Sequence, residues 1–356
     1  MSNADNRIEK IAVVMAGGRG TRFWPRSRTH RPKQFLAMVG DATLLNQTVS
    51  RLFPEFSPEN VYVVTTEDLA VETMRLLPEL PCKNVIIEPE GRNTAPCLAL
   101  ALTVIEARHP NGVMVVLSAD HWITDHEAFH RDIDLASRHA IDQHELVTFG
   151  IRPAYPETGY GYIETEGQGA VLAAKAFREK PPLATALEYV ASGHHFWNAG
   201  MFVWTLADMR QELQAHCPEV LAPLDAWVAA GADSKTIAAA YAELPKLSVD
   251  YALMEKSSHV AVVPASFGWS DVGSWPAVVE FHEADENGNV IKGDAVLVDS
   301  TNCAVFGGRR MIGGSGLKDL IVVDEEDALL ICHRDKAQGV KDIVERLHKL
   351  GRKDLL

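Results

Sequence analysis

The first half of this 356-residue chain alternates short, largely apolar runs with stretches of helical periodicity, and few architectures accommodate that pattern. The β-rich runs are 10–16, 61–65, 85–87 and 113–117. They lack polar alternation, so both faces of each must be covered. Between them, 43–53, 67–77 and 94–108 carry helix-like spacing. Strands buried on both faces and joined by helices make a doubly wound α/β sheet, whose ligands bind at the carboxyl ends of the strands.

The middle is less regular. Strands are expected over 146–151, 160–164 and 171–178, and helices over 182–191, 206–216, 219–230 and 234–243. After Glu286-Asn287-Gly288-Asn289 the texture changes to β-like runs at 295–298, 303–306, 320–323 and 328–331, closed by an amphipathic stretch over 336–350. The expected division is a larger domain over 1–285 and a small β-rich domain over 286–356, in keeping with the two or three domains that this length suggests.

Charge narrows the partners. With 34 Lys and Arg against 48 Asp and Glu, the formal charge is −14, which argues against nucleic acid or an anionic membrane as partner. No apolar run approaches the roughly 20 residues of a membrane span, and the polar start resembles no secretory signal, so a cytoplasmic protein is expected. Five cysteines without C-x-x-C spacing and 14 scattered histidines support neither a disulfide framework nor a zinc site. One segment opposes the overall charge. From Lys10 to Gly40 there is no acid, yet Lys10, Arg19, Arg22, Arg26, Arg28, Arg31 and Lys33 all fall there, which points to a local site for a small polyanion.

Within that segment, Gly17-Gly18-Arg19-Gly20-Thr21-Arg22 directly follows the first apolar run, with Lys33 a short way on. Glycines let backbone N–H groups approach phosphate oxygens, and Arg22 and Lys33 supply charge-assisted hydrogen bonds. It is not a Walker loop, because no Lys-Ser or Lys-Thr follows a glycine here. Nor is it the dinucleotide fingerprint, because Phe23 stands where counting from Gly18 requires glycine. Asp120 lies just past the carboxyl end of the 113–117 run, and Asp271 lies in the tight segment Gly268-Trp269-Ser270-Asp271-Val272-Gly273. Each alone reads equally as a cap or turn former. As a pair they suit Mg²⁺, which is commonly held by one or two carboxylates plus phosphate oxygens and water. Glu179, Lys180 and Asn198 offer sugar-hydroxyl and phosphate partners, or a surface ion pair and a turn asparagine. Asn93 or Thr94, ahead of a long apolar helix, reads as an N-cap, and Thr158-Gly159-Tyr160-Gly161-Tyr162 is either a ligand loop or a β-turn.

These segments, with Glu88-Pro89, Gly91 through Pro96, Ser118 through His121, Thr158 through Tyr162, Glu179-Lys180-Pro181, Asn198 through Phe202 and Ser248 through Ala252, resemble in order the sugar nucleotidyltransferases, and within them the mannose-1-phosphate guanylyltransferases. The likeness runs from about residue 10 to 276. It implies a Rossmann-like, doubly wound mixed sheet with a short β-helix-like C-terminal part, Mg²⁺ as cofactor, GTP and mannose 1-phosphate as substrates, and a homodimer. By the same resemblance, Gly17, Gly18, Gly20, Thr21, Arg22 and Lys33 would hold the triphosphate and Asp120 and Asp271 the metal. Glu88, Asn93 and Ala95 would surround the base, and Gly159, Glu179, Lys180 and Asn198 would orient the sugar phosphate. Arg22, Lys33, Asp120 and Asp271 are the expected catalytic groups. Phe23, Arg178 and Cys97 depart from the usual leucine, apolar residue and alanine. Longer bacterial relatives carry an added isomerase domain, so transferase activity alone is expected here. The rival readings are the same transfer with another sugar or nucleotide, and a non-catalytic nucleotide-sugar-binding regulator.

Overall fold

The apolar runs of the first half become β1 (Lys10–Met15), β2 (Val61–Thr66), β3 (Val85–Glu88) and β4 (Val113–Ser118) in a computed structural model that describes residues 8–18, 20–233 and 235–356. They pair in parallel in the order β3-β2-β1-β4, with Val13 opposite both Tyr62 and Val116. Burial follows position. β1, β2 and β4 are covered on both faces, whereas β3 lies at the sheet edge and leaves Ile87 exposed.

Five more strands extend this sheet to nine: β5 (Leu146–Ile151), β6 (Tyr162–Glu166), β7 (Leu172–Arg178), β8 (His195–Thr205) and β9 (Val260–Pro264). The order beyond β4 is β8-β5-β9-β7-β6. Because β8 runs antiparallel between β4 and β5, the sheet is mixed. Its sequence hides it: Asn198-Ala199-Gly200 breaks the apolar run, Gly200 has φ +65°, and the pairing with β5 shifts register between Thr148 and Gly150.

The helix Thr94–Glu106 is apolar nearly all round and buried along most of its length, as a helix inside a core must be. The longest helix, His126–Gln143, has no strongly apolar sequence. It nevertheless buries Ala128, Phe129, Ile133, Ala136 and Ala140 on one stripe, and Asp125 caps it by accepting from Ala128 N–H at 2.9 Å.

The chain divides into two compact units that interleave along the sequence. The first takes residues up to Gly17, Val49–Ala119 and Ile123–Trp269. The second takes Gly18–Thr48, Asp120–Trp122 and Ser270–Leu356. The nine-stranded sheet belongs to the first, with a core of Val13, Val64, Leu98, Met114, Val116 and Trp204.

In the second unit, β10 (Val290–Lys292), β12 (Ala304–Phe306) and β14 (Leu320–Asp324) stack in parallel, and β15 (Leu329–His333) closes the sheet antiparallel. A second small sheet pairs β11 (Ala295–Val298) with β13 (Ile312–Ser315) in parallel. Successive rungs place Val290, Ala304 and Ile321 in register, the layering of a short β-helix. Its core continues through Trp275, Phe23 and Trp24, and the terminal helix Val340–Lys349 adds Val340 and Val344 at i, i+4 spacing.

Candidate active site

Lys33 organises the charged groups of the second unit. It follows Pro32 at the start of a single 3₁₀ turn, and its residue is only 5% exposed. A buried ammonium needs partners, and two are present: Nζ donates to Asp120 Oδ2 at 2.7 Å and to the Asp271 carbonyl oxygen at 2.5 Å. Its approach depends on Gly20, which has φ +59° and where any Cβ would collide with the Lys33 side chain. Burial alone would raise the Asp120 carboxyl. The neighbouring Lys33 and His121 charges, with the Lys33 hydrogen bond, hold it below the ordinary range.

Asp271 sits in a strained turn. Val272, β-branched and fully buried, has φ +45°, a conformation that costs about 1–3 kcal/mol and tends to persist where function requires it. Its N–H donates to Ser270 Oγ at 3.0 Å, and a Cβ at Gly273 would run into the Asp271 carboxylate. Gly20, Thr21, Arg22, Lys33, Asp120, His121, Asp271 and Gly273 line one cavity of about 320 Å³ together with Lys341 of the terminal helix. The sequence reading missed Lys341, because a surface lysine on an amphipathic helix carries no signal of its own.

The donor set fits a hard divalent cation. Among the described residues no cluster of three or more potential ligands gathers, so an all-protein cage is absent there. Two carboxylates facing a polar cavity, with room for phosphate oxygens and water to complete an octahedron, match the way Mg²⁺ is held.

A different set of polar groups lies in the first unit. Glu88, at the carboxyl end of β3, is 3% exposed and accepts a short hydrogen bond on Oε1 from Tyr241, itself fully buried in the helix Ile237–Ala242. Oε2 lies beside Gly17, 3.5 Å from where a Cβ would stand. Burial pushes the Glu88 carboxyl up, and hydrogen bonds from Tyr241 and Cys97 reverse only part of that. Asn93, at φ +71°, caps the helix Thr94–Glu106 by accepting from Thr94 N–H at 2.9 Å. Ala95 is fully buried and donates its N–H to the Leu247 carbonyl.

Glu179, Lys180 and Asn198 fall at one region of the same unit. Lys180 adopts φ +46° and pairs with Glu179, and a Cβ at Gly161 would come within 2.6 Å of Glu179 Oε2. Asn198 is fixed in one amide orientation. Its Oδ1 accepts from Gly200 N–H at 3.2 Å and from Thr148 Oγ1 at 2.9 Å, and its Nδ2 donates to Asp250 Oδ1 at 3.0 Å. Asp250 opens a π-helical turn, Asp250–Met254, a local form often found at functional positions. Burial and then the nearby Glu179 charge push its carboxyl up to about 6. Gly159 donates its N–H to Glu157 at 2.7 Å, and Tyr160 packs edge-on against Trp197 and Trp269. Asp250 and Tyr241 were both missed as site residues. Asp250 lies within Ser248 through Ala252, one of the segments that carry the family resemblance, whereas Tyr241 sits in an alanine-rich helix with no marker.

Not every cation of the 10–40 segment serves an anion. Lys10 pairs with Asp134, Arg26 with Glu325 at 2.9 Å and Arg28 with Asp327 at 2.6 Å. Arg22 and Lys33 are the two that line the cavity, and Arg19 lies outside the described residues. A larger cavity, about 510 Å³, borders Lys10 and Asp134 at the amino end of β1, the wrong end of a doubly wound sheet for a ligand site.

Residues 11–288 match the nucleotidyl transferase family, and residues 293–347 match the mannose-phosphate isomerase/GMP-like β-helix domain. A mannose-1-phosphate guanylyltransferase of Escherichia coli is 41% identical over 96% of this chain and 74% of its own length. The alginate biosynthesis protein AlgA of Pseudomonas aeruginosa is 39% identical over 97% of this chain and 73% of its own. The crystal structure of a mannose-1-phosphate geranyltransferase from Thermus thermophilus superposes with a TM-score of 0.87 at 35% identity, covering 96% of this chain and 100% of that one. No helix among the described residues is long and apolar enough to cross a membrane. With a matching family model over most of its length and relatives near 40% identity, the chain belongs to the nucleotidyl transferase family, and it is a nucleotidyltransferase carrying a C-terminal β-helix domain.

Proposed function

We propose that the chain transfers GMP from GTP to α-D-mannose 1-phosphate, giving GDP-mannose and pyrophosphate. The observation that carries this reading is the Lys33–Asp120–Asp271 cluster facing a polar cavity with Arg22, in a chain about 40% identical to guanylyltransferases. An oxygen of mannose 1-phosphate attacks the α-phosphorus, a new P–O bond forms, and the bond to the β-phosphate oxygen breaks with its electron pair leaving on pyrophosphate. The attacking oxygen is already anionic, so no protein nucleophile or general base is needed. Positioning and charge neutralisation supply the rate.

Asp120 and Asp271 would hold Mg²⁺, which neutralises phosphate charge when bound. Gly17, Gly18, Gly20 and Thr21 would give the triphosphate close backbone approach, while Arg22 and Lys33 offset its charge. Lys33 also keeps Asp120 ionised. Glu88 would accept from the N1–H of guanine, with Asn93 and Ala95 framing that end. Gly159, Glu179, Lys180 and Asn198 would orient the sugar and its phosphate, Asn198 with its amide fixed by Thr148, Gly200 and Asp250. A catalytic domain over 1–285 with a β-rich domain over 286–356, a cytoplasmic site of action and a homodimer complete the reading.

The test is a mixture of four nucleoside triphosphates and a panel of hexose 1-phosphates with Mg²⁺, followed by product masses. GDP-mannose as the main product is expected. Another nucleotide sugar overturns the specificity and keeps the transfer chemistry. Nucleotide-sugar binding without any product favours a regulatory role instead.

A further inference from the structure

The terminal helix Val340–Lys349 brings a lysine to the cavity that holds Asp120 and Asp271. Around that cavity stand three cations, Arg22, Lys33 and Lys341, against two carboxylates. Lys33 is already committed, since its ammonium donates to Asp120 Oδ2 and to the Asp271 carbonyl. Arg22 and Lys341 form no ion pair with a described residue, in a chain where acids outnumber basic residues by 48 to 34. Lys341 is exposed and lines the cavity beside both carboxylates, so its ammonium is placed to meet an anion that enters there.

That ligand's chemistry follows from the balance. A triphosphate, and still more the departing pyrophosphate, carries negative charge beyond what one arginine and an engaged lysine offset. A mobile ammonium on a flexible stem suits the terminal phosphates, which change position as the leaving group separates. We infer that Lys341 is a phosphate-contacting residue of the reaction, binding the β- and γ-phosphates of the nucleotide and the released pyrophosphate from the terminal helix. This rests on the nucleotidyl-transfer reading above and gives the terminal helix a chemical role beyond packing.

The experiment compares wild-type, Lys341→Ala and Lys341→Arg full-length chains. Lys341→Ala raises KM for GTP, and KM for pyrophosphate in the reverse reaction, roughly tenfold, the effect of losing one partly solvated charge-assisted contact. KM for mannose 1-phosphate stays within twofold, Lys341→Arg recovers most of the loss, and the gap between variants narrows with added salt. A merely structural lysine would not split the substrates in this way. Values for GTP and pyrophosphate within twofold of wild type in Lys341→Ala overturn the inference. Should the wild type make no nucleotide sugar at all, the transfer reading fails, and calorimetric titration with inorganic tripolyphosphate decides the matter for Lys341. Weaker binding by the alanine variant upholds the phosphate contact, and equal binding rejects it.

Discussion

The two compact units handle their carboxyl groups in opposite ways. In the second, Asp120 faces Lys33 and His121 and is held ionised below the ordinary range. In the first, Glu88 is pushed up by burial, and Asp250 is pushed up to about 6 by burial and Glu179, although both are tied into hydrogen bonds. The difference matches two kinds of recognition. Phosphate and metal chemistry needs fixed charge, and a paired lysine supplies it. Reading a base or a sugar hydroxyl needs acceptors of fixed direction, which buried and well-bonded groups provide even where ionisation is disfavoured.

Removing charge from the second unit should therefore have the largest effect. Asp271→Asn keeps the side-chain shape and should lower kcat about 10³-fold at ordinary Mg²⁺, the scale of losing an electrostatic stabiliser of the transition state. Circular dichroism should show an unchanged fold. Wild-type turnover in that variant would dissolve the contrast between the units, since the carboxylate would then be as dispensable as a turn former.

In the first unit the pH dependence runs in the opposite direction. Because Asp250 is raised from 3.8 to about 6 in the folded chain, its contribution to stability is full below the lower value and is lost as pH rises through the higher one. Asp250→Asn removes that dependence. Measured by urea unfolding without metal, the variant should gain on wild type by on the order of 1–2 kcal/mol between pH 4.5 and 7.5. Asp120→Asn should show the reverse trend, because a lowered carboxyl stabilises at neutral pH and loses that contribution on acidification. The same sign for both variants would break the comparison.

How much of this could be read from the sequence depended on whether a residue's neighbours in the chain share its environment. β1, β2 and β4 were visible because every residue in them is buried or nearly so, and composition alone marks them. β8 was not, because Asn198 and Gly200 serve the site from inside a strand and break its apolar run. His126–Gln143 hid its buried stripe among histidines and acids, although the 3.6-residue spacing of Phe129, Ile133, Ala136 and Ala140 was there to be found. Asp120 and Asp271 could be paired as carboxylates in glycine-flanked or strand-end contexts. Tyr241 and Lys341 could not be found, since their significance lies wholly in partners far along the chain, Glu88 and the Asp120 cavity.

The smallest expected effect concerns the cations between Lys10 and Gly40, which the sequence presents as one basic cluster. Arg26 lies in that segment, but its Nε donates to Glu325 at 2.9 Å, and its guanidinium stands 5.8 and 5.5 Å from the Trp275 and Phe306 ring centroids. Both partners of the ion pair are about a quarter exposed, so water competes for each charge. Arg26→Met keeps the stem against the rings and removes the ion pair together with the guanidinium–ring contacts. It should cost about 0.5–1 kcal/mol in urea unfolding and leave kcat/KM for GTP within twofold of wild type. A tenfold fall in kcat/KM with stability unchanged would place Arg26 among the phosphate ligands. The charge of the second unit would then be a diffuse field over the whole segment rather than a site built around Lys33, Asp120 and Asp271.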